Sequence, residues 1–191
     1  DAYKCGEISE KYLEAKVEKS MEIIQYMSQT IDDFRNFFKP EKQMLLFDVK
    51  TTVQKAISFI EPTLKNNNIK LDCLLDDDIH VMGYGNEYAQ VVLNLLNNAK
   101  DAVIESRVLS PTIQVSLTME NQKSVLVIQD NGGGIPSEYM EKIFTPYFST
   151  KNPGQGTGIG LYMSKTIIEK NMNGMLTFKN TEKGACFSII V

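Results

Sequence analysis

The stretch SVLVIQDNGGGIP, residues 124–136, decides the fold. Ser124 to Gln129 reads as a β-strand, and Asp130 stands at its end. Gly132, Gly133 and Gly134 then follow before Pro136. Successive glycines permit positive φ and let a ligand approach the backbone closely. An aspartate at the end of a strand can accept a hydrogen bond from an exocyclic amine such as that of adenine. The alternative is a tight turn in which Asp130 bonds its own loop, although turns rarely need three glycines.

Working outward, Thr112 to Met119 forms a hairpin with that strand through the turn at Glu120, Asn121, Gln122 and Lys123. Upstream, Leu45 to Val49 reads as a short strand and Thr51 to Asn66 as a helix with Val53, Ala56, Ile57, Ile60 and Leu64 on one face. Ile69 to Leu75 and His80 to Met82 are strands around a solvated turn at Asp76, Asp77 and Asp78, and Asn86 to Ser106 is a strong helix. Downstream, Asn131 to Gly160 is a long glycine-rich connection with little regular structure, a kind of loop that is usually functional. Gly158 to Met172 reads as a helix, and strands Met175 to Lys179 and Ala185 to Val191 close the chain around a turn at Lys183 and Gly184. Strands in adjacent hairpins with helices over one face argue a two-layer α/β sandwich.

Residues 1–42 differ from the rest. Val17, Ile24, Ile31 and Phe38 recur at heptad spacing, with Ser20, Met27 and Phe34 as a second series, and Pro40 stops the pattern. A helix from Lys11 to Lys39 spans ~43 Å and needs a partner helix to bury its stripe. The expected organisation is a helical segment, 1–42, and a globular domain, 43–191. The 191 residues carry 20 Lys and Arg against 24 Asp and Glu, a net charge of −4, and 42% apolar residues. That is an ordinary globular composition, and its acidic balance argues against a nucleic-acid partner. No apolar run approaches the ~20 residues of a membrane helix. Cys5, Cys73 and Cys186 are scattered, which points to a reducing compartment with neither a disulfide framework nor a zinc site. The sequence opens on Asp1 rather than a methionine or a signal peptide, and reads as a segment of a longer protein.

Two further segments carry unusual residues. On the helix from Asn86, the residues Glu87, Gln90, Asn94, Asn98 and Asp101 fall at steps of three and four and share one face. Asparagine is a mediocre helix former, so a pair on one stripe asks for a reason. An amide oxygen can ligate Mg²⁺ without repelling a triphosphate, and a plain solvated face is an equal alternative. Gly154, Gly156, Gly158 and Gly160 alternate into the next helix, where backbone N–H groups form an anion site. Neither a Walker loop nor a dinucleotide fingerprint matches their spacing.

Taken in order, the three segments resemble the ATP-binding domain shared by sensor histidine kinases, gyrase-type topoisomerases, Hsp90 chaperones and mismatch-repair MutL proteins. The asparagine helix matches the N box, Asp130–Gly134 the first glycine box and Gly156–Gly160 the second. FTPYF at 144–148 looks like the F box of histidine kinases. The heptad helix looks like the second helix of the kinase dimerisation and phosphotransfer hairpin. The resemblance implies an α+β fold of the Bergerat type, a mixed, mostly antiparallel sheet covered by three helices after a long helix. It implies ATP and Mg²⁺ as cofactors, with Asn98 as metal ligand and Asn94 holding metal or phosphates. Asp130 would read the adenine amine, with Ile135 and Leu161 along the adenine slot. Gly132, Gly134, Gly156, Thr157, Gly158, Ile159 and Gly160 would form the lid and phosphate cradle.

Within this superfamily, hydrolysing members carry a glutamate one helical turn before the Mg²⁺ asparagine as a base for water. Asn94 stands there and cannot take a proton, so the γ-phosphoryl is kept for a protein acceptor. Asp101 and Ala102 occupy positions where many histidine kinases have a lysine and an aromatic residue. Lys100 is one residue early, ~100° around the helix. Phosphate neutralisation then falls to Lys151, with Asp101 beside the nucleotide. His80, the sole histidine, lies in an expected strand and reads as a structural or surface residue, so the acceptor histidine is expected upstream of this segment. The resemblance further implies a cytoplasmic kinase domain, a homodimer through the helical bundle, a response regulator receiver domain as partner, and membrane attachment only through other regions of the parent. A nucleotide-gated interaction module, or a serine/threonine kinase or ATPase of the same superfamily, are the alternatives.

Overall fold

The structure, a computed structural model, describes residues 12–14, 16–21, 24, 43–150 and 158–191. The chain divides into two compact units, Asp1–Lys39 and Pro40–Val191. In the first unit the described residues are helical, and the heptad positions Val17, Ser20 and Ile24 are exposed. Met27, Ile31, Phe34 and Phe38 lie outside the described residues.

The second unit begins with β1 (Leu45–Asp48), which runs directly into α1 (Val49–Asn66). Asp48 caps that helix by accepting from the Thr51 N–H at 2.5 Å, and hydrogen bonding from the Thr51 hydroxyl and then its amide holds the carboxyl below the usual range. The stripe Val49, Val53, Ala56, Ile60 and Leu64 is buried at helical spacing, while Pro62 lies on the exposed side. There follow β2 (Lys70–Leu75), β3 (His80–Gly83), α2 (Gly85–Glu105), β4 (Thr112–Glu120) and β5 (Lys123–Asp130). A 3₁₀ turn at Ser137–Tyr139 precedes α3 (Gly160–Thr166), whose last turn widens into a π-helix at Ile167–Asn171. The chain closes with β6 (Met175–Asn180) and β7 (Ala185–Ile190).

Five strands form an open sheet in the order β2-β4-β5-β7-β6. β2 runs parallel to β4, and the other pairs are antiparallel. The mixed, mostly antiparallel sheet with helices expected from the sequence is therefore the one observed. The hairpin turn also holds, with Asn121 and Gln122 both at positive φ, the mirror-image turn that suits strand twist. Pairing departs from simple adjacency at β1–β3, β2–β4 and β5–β7. β3 does not form a hairpin with β2 but pairs with β1 in a separate two-stranded sheet. The parallel β2–β4 pair requires a crossover, and β3 and α2 are carried within it.

Alternation along β4 and β5 builds the core. Ile113, Val115 and Leu117 of β4 and Leu126 and Ile128 of β5 point to the buried face. They meet Leu176, Phe187 and Ile189 from β6 and β7, and the stripe Tyr88, Val92, Leu95, Leu96, Ala99 and Val103 of α2. α1 packs on α2, so the first helix reaches the sheet largely through the second. Leu96, fully buried, is expected to cost ~2–5 kcal/mol on truncation to alanine. Leu74, 70% exposed on the edge strand, should stay within ~0.5 kcal/mol when truncated. Urea unfolding of the two variants measures the difference, and equal losses would misplace the core.

Candidate functional site

The buried row of β5 reads Ser124, Leu126, Ile128, Asp130, so the aspartate occupies a position that alternation assigns to the core. It is 5% exposed. Its Oδ1 accepts from the backbone N–H of Gly132 at 2.7 Å and of Ala185 at 3.2 Å. Burial pushes the carboxyl above the ordinary aspartate value, and the two N–H donors pull against that rise. Both bonds fall on Oδ1, which leaves Oδ2 as an acceptor for a ligand. Gly184 makes the arrangement possible, because a Cβ there would lie 2.2 Å from the Asp130 carbonyl oxygen and 2.5 Å from Oδ1. The glycine segment after Asp130 is tied down rather than slack. Gly133 N–H donates to the Lys183 carbonyl at 2.9 Å. Asn131 accepts from Thr112 N–H at 2.9 Å and donates to the Ser110 carbonyl at 2.8 Å.

α2 turns its other face toward the same space. Asn94, Asn98, Asp101 and Ala102 line one wall of a cavity of about 600 Å³, with Glu105 and Ser106 at the end of the helix. The Asn94 Nδ2 donates to the buried Ser164 Oγ at 2.9 Å. A Cβ on Gly160 would lie 2.5 Å from Asn94 Oδ1, so the carboxamide is lodged between the start of α3 and its buried serine. Asp101 pairs with Lys100 at 2.8 Å, and the lysine that the sequence places one residue early is thereby engaged beside the cavity wall. Glu87 and Gln90, on the same helical stripe, do not line the cavity. Glu87 accepts instead from Asn171 Nδ2 at 2.8 Å.

The structure gathers Asn94, Asn98, Asp101, Asp130, Gly132, Gly134, Ile135, Gly158, Gly160 and Leu161 around one cavity. Ile159 lies beside it, its carbonyl accepting from Met163 N–H at 2.8 Å inside the helix start. Lys151, Gly156 and Thr157 lie outside the described residues. The connection expected to be irregular instead carries the 3₁₀ turn, and Tyr139, Ile143 and Phe148 from it line the cavity. Phe144 turns away. It packs edge-on against Phe178 at 5.9 Å, with the Lys165 ammonium 4.6 Å from its ring centre. Sequence reasoning missed Ser164, Gly184, Asn131 and Asn180, which read as helix, turn or strand-end residues until the fold brings them to the site. His80 is exposed on β3, opposite Asp48 of β1.

Residues 83–191 match the family described as histidine kinase-, DNA gyrase B- and HSP90-like ATPase, and the chain belongs to that family. Within it, the similarity runs to sensor kinases. The two-component sensor PprA of Pseudomonas aeruginosa is 33% identical over 155 residues, 79% of this chain and 17% of that protein. Sporulation kinase A of Bacillus subtilis is 27% identical over 79% of this chain and 24% of its own length. The catalytic domain of histidine kinase ThkA superimposes with a TM-score of 0.69 at 28% identity, covering 78% of this chain and 95% of that one. The chain thus spans well under half the length of the curated relatives it matches.

Asp130 has a stability consequence of definite sign. Its folded-state pKa is raised, so between the unfolded value and the folded one the folded state binds the proton more tightly. Stability then falls as pH rises through that window, and above the folded value the cost of the buried charge is fully present. Asp130→Asn removes the charge while keeping an oxygen for the Gly132 and Ala185 donors. The variant should melt no lower than the parent at neutral pH, and its advantage should shrink on acidification. Thermal midpoints across the acid range test this, and a variant much less stable at neutral pH would contradict the assigned burial cost.

Proposed function

We propose that this chain carries the ATP-binding catalytic domain of a sensor histidine kinase, which passes the γ-phosphoryl of ATP to a histidine on a helix of the parent protein. The observation that carries the reading is the single cavity joining a buried carboxylate, Asp130, to an amide-bearing helix, Asn94 and Asn98. A volume near 600 Å³ lies within the ~300–1,000 Å³ of small-molecule sites, and the wall has the polarity a nucleotide requires.

In this reading, Oδ2 of Asp130 accepts from the adenine amine, while Ile135 and Leu161 pack along the ring. Asn98 presents a neutral oxygen to Mg²⁺, the donor type suited to a metal that takes its remaining ligands from phosphates and water. When bound, the metal neutralises charge on the phosphates. Asn94 sits beside the phosphate end and has no proton-accepting capacity, so nothing at that position activates water. Lys151 and the glycines Gly156 and Gly158 would close over the phosphates, with Thr157 and Ile159 in the same lid. The heptad segment would pair in a homodimeric bundle, and the phosphohistidine would pass its group to the aspartate of a response regulator receiver domain. Support for that partner comes from ThkA, which has been solved in complex with response regulator protein TrrA. No helix among the described residues is long and apolar enough to cross a membrane. The reading places the domain in the cytoplasm, with any membrane attachment in other regions of the parent.

Asn98→Ala should weaken ATP binding ~10-fold when Mg²⁺ is present and leave the Mg²⁺-free affinity nearly unchanged, as loss of a charge-linked contact predicts. Calorimetric titration with and without Mg²⁺ reads the difference, and equal losses would remove Asn98 from the metal. With γ-labelled ATP, acid-labile and base-stable label should appear on an added acceptor-helix fragment and not on His80. Intact ATP binding without label on the added helix would favour a nucleotide-gated interaction module, and label on His80 would overturn its place as a bystander.

A further inference from the structure

Beyond the residues that face the cavity, one side chain is built to hold its wall. Asn180 is the last residue of β6, the outermost strand of the five-stranded sheet. Its Oδ1 accepts from the Ile135 N–H at 2.9 Å, and its Nδ2 donates to the Ile135 carbonyl at 2.7 Å. The partners fix the orientation of the carboxamide, because an N–H can meet only its oxygen and a carbonyl only its nitrogen. Both groups of one peptide residue are engaged at once, as in a hydrogen-bonded pair of an antiparallel ladder. A side chain here takes the place of a neighbouring strand.

Gly134 admits this contact. It holds φ +80, and a Cβ there would lie 2.9 Å from Asn180 Oδ1. A side chain at residue 134 would be strained and would also push the carboxamide away. The rest of the segment is tied to other anchors, Gly132 to Asp130 and Gly133 to Lys183. Asn180 therefore supplies the attachment of Gly134 and Ile135 to the sheet edge, and both of these residues line the cavity with Asp130.

We propose that Asn180 is a positioning residue for base recognition, its two-bond clamp on Ile135 setting the width of the slot between Ile135 and Asp130; this rests on reading the cavity as an adenine nucleotide site. Asn180 touches neither base nor phosphate and acts through Ile135. Without the clamp, Ile135 must be ordered by the ligand itself, and binding weakens by that ordering cost.

The test uses the full chain as Asn180→Ala and Asn180→Asp. Asn180→Ala should raise the Kd for ATP ~5- to 10-fold, the scale of one or two modest hydrogen bonds. It should also speed hydrogen exchange at the Ile135 amide in the nucleotide-free protein, while the amides of β6 and β7 keep their protection. Asn180→Asp keeps an acceptor for the Ile135 N–H but sets a carboxylate oxygen against the Ile135 carbonyl, so it should lose ATP affinity at least as much as Asn180→Ala. Unchanged exchange at Ile135, or ATP affinity within twofold of the parent in Asn180→Ala, overturns the clamp. So does loss of protection spread through β6 and β7 in Asn180→Ala, which marks a merely structural residue. Failure of the parent chain to bind ATP sinks the nucleotide reading and the clamp together, whereas firm binding by the parent with no loss in Asn180→Ala sinks the clamp alone.

Discussion

A carboxylate in the core row of a β-strand is the constraint on which the site depends. Asp130 continues the buried series of Leu126 and Ile128, where a hydrophobic residue would stabilise the sheet without further help. A charge taken out of water there requires donors, and backbone N–H groups are the rigid ones available. The Gly132 N–H comes from the turn that leaves β5, and the Ala185 N–H from the first residue of β7. β7 must therefore lie beside β5, paired up to Gln129 with Cys186, and the β6–β7 turn must approach the end of β5 closely. Gly184, with room for no side chain against Asp130, is the consequence at the last position of that turn, directly before β7.

The opposite side of the cavity depends on contact between two helices. Asn94 is lodged between Gly160 and Ser164, so the amide stripe of α2 is registered against the start of α3 by a hydrogen bond and a close approach. Gly160 at the α3 entrance and Asn94 of α2, read separately in the sequence, are thus parts of one contact. Phe144, the first residue of the stretch that resembles the F box, serves the scaffold. It joins Phe178, which in turn meets Phe187 of the cavity wall, and is covered by Lys165 of α3. A chain of ring contacts so connects the connection after β5 to the sheet edge and to the helix that carries Ser164.

Much of this was legible in the sequence because it rests on local chemistry. Alternation located β4 and β5, 3.6-residue periodicity located α1 and α2, and glycine runs located the places where backbone approaches closely. Asp130 announced itself at a strand end before three glycines, and Asn94 and Asn98 as poor helix formers sharing one polar stripe. Residues 151–157 and most of the heptad segment lie outside the described residues, so Lys151, Gly156 and Thr157 rest on sequence reasoning.

The sequence by itself determined the elements, the polar residues set against their periodic patterns, and the superfamily those residues resemble. Each of these follows from interactions within a few residues along the chain. Tertiary structure alone decided that β3 pairs with β1 rather than β2, and that β7 enters the sheet beside β5. It also decided that Ser164, Gly184 and Asn180 serve the site, and that Phe144 does not face it. A serine in a helix, a glycine in a turn and an asparagine at a strand end have the same local preferences wherever they occur. Their roles arise from backbone and side-chain groups 45 to 70 residues away in the chain, brought within hydrogen-bond reach only when the sheet and helices pack.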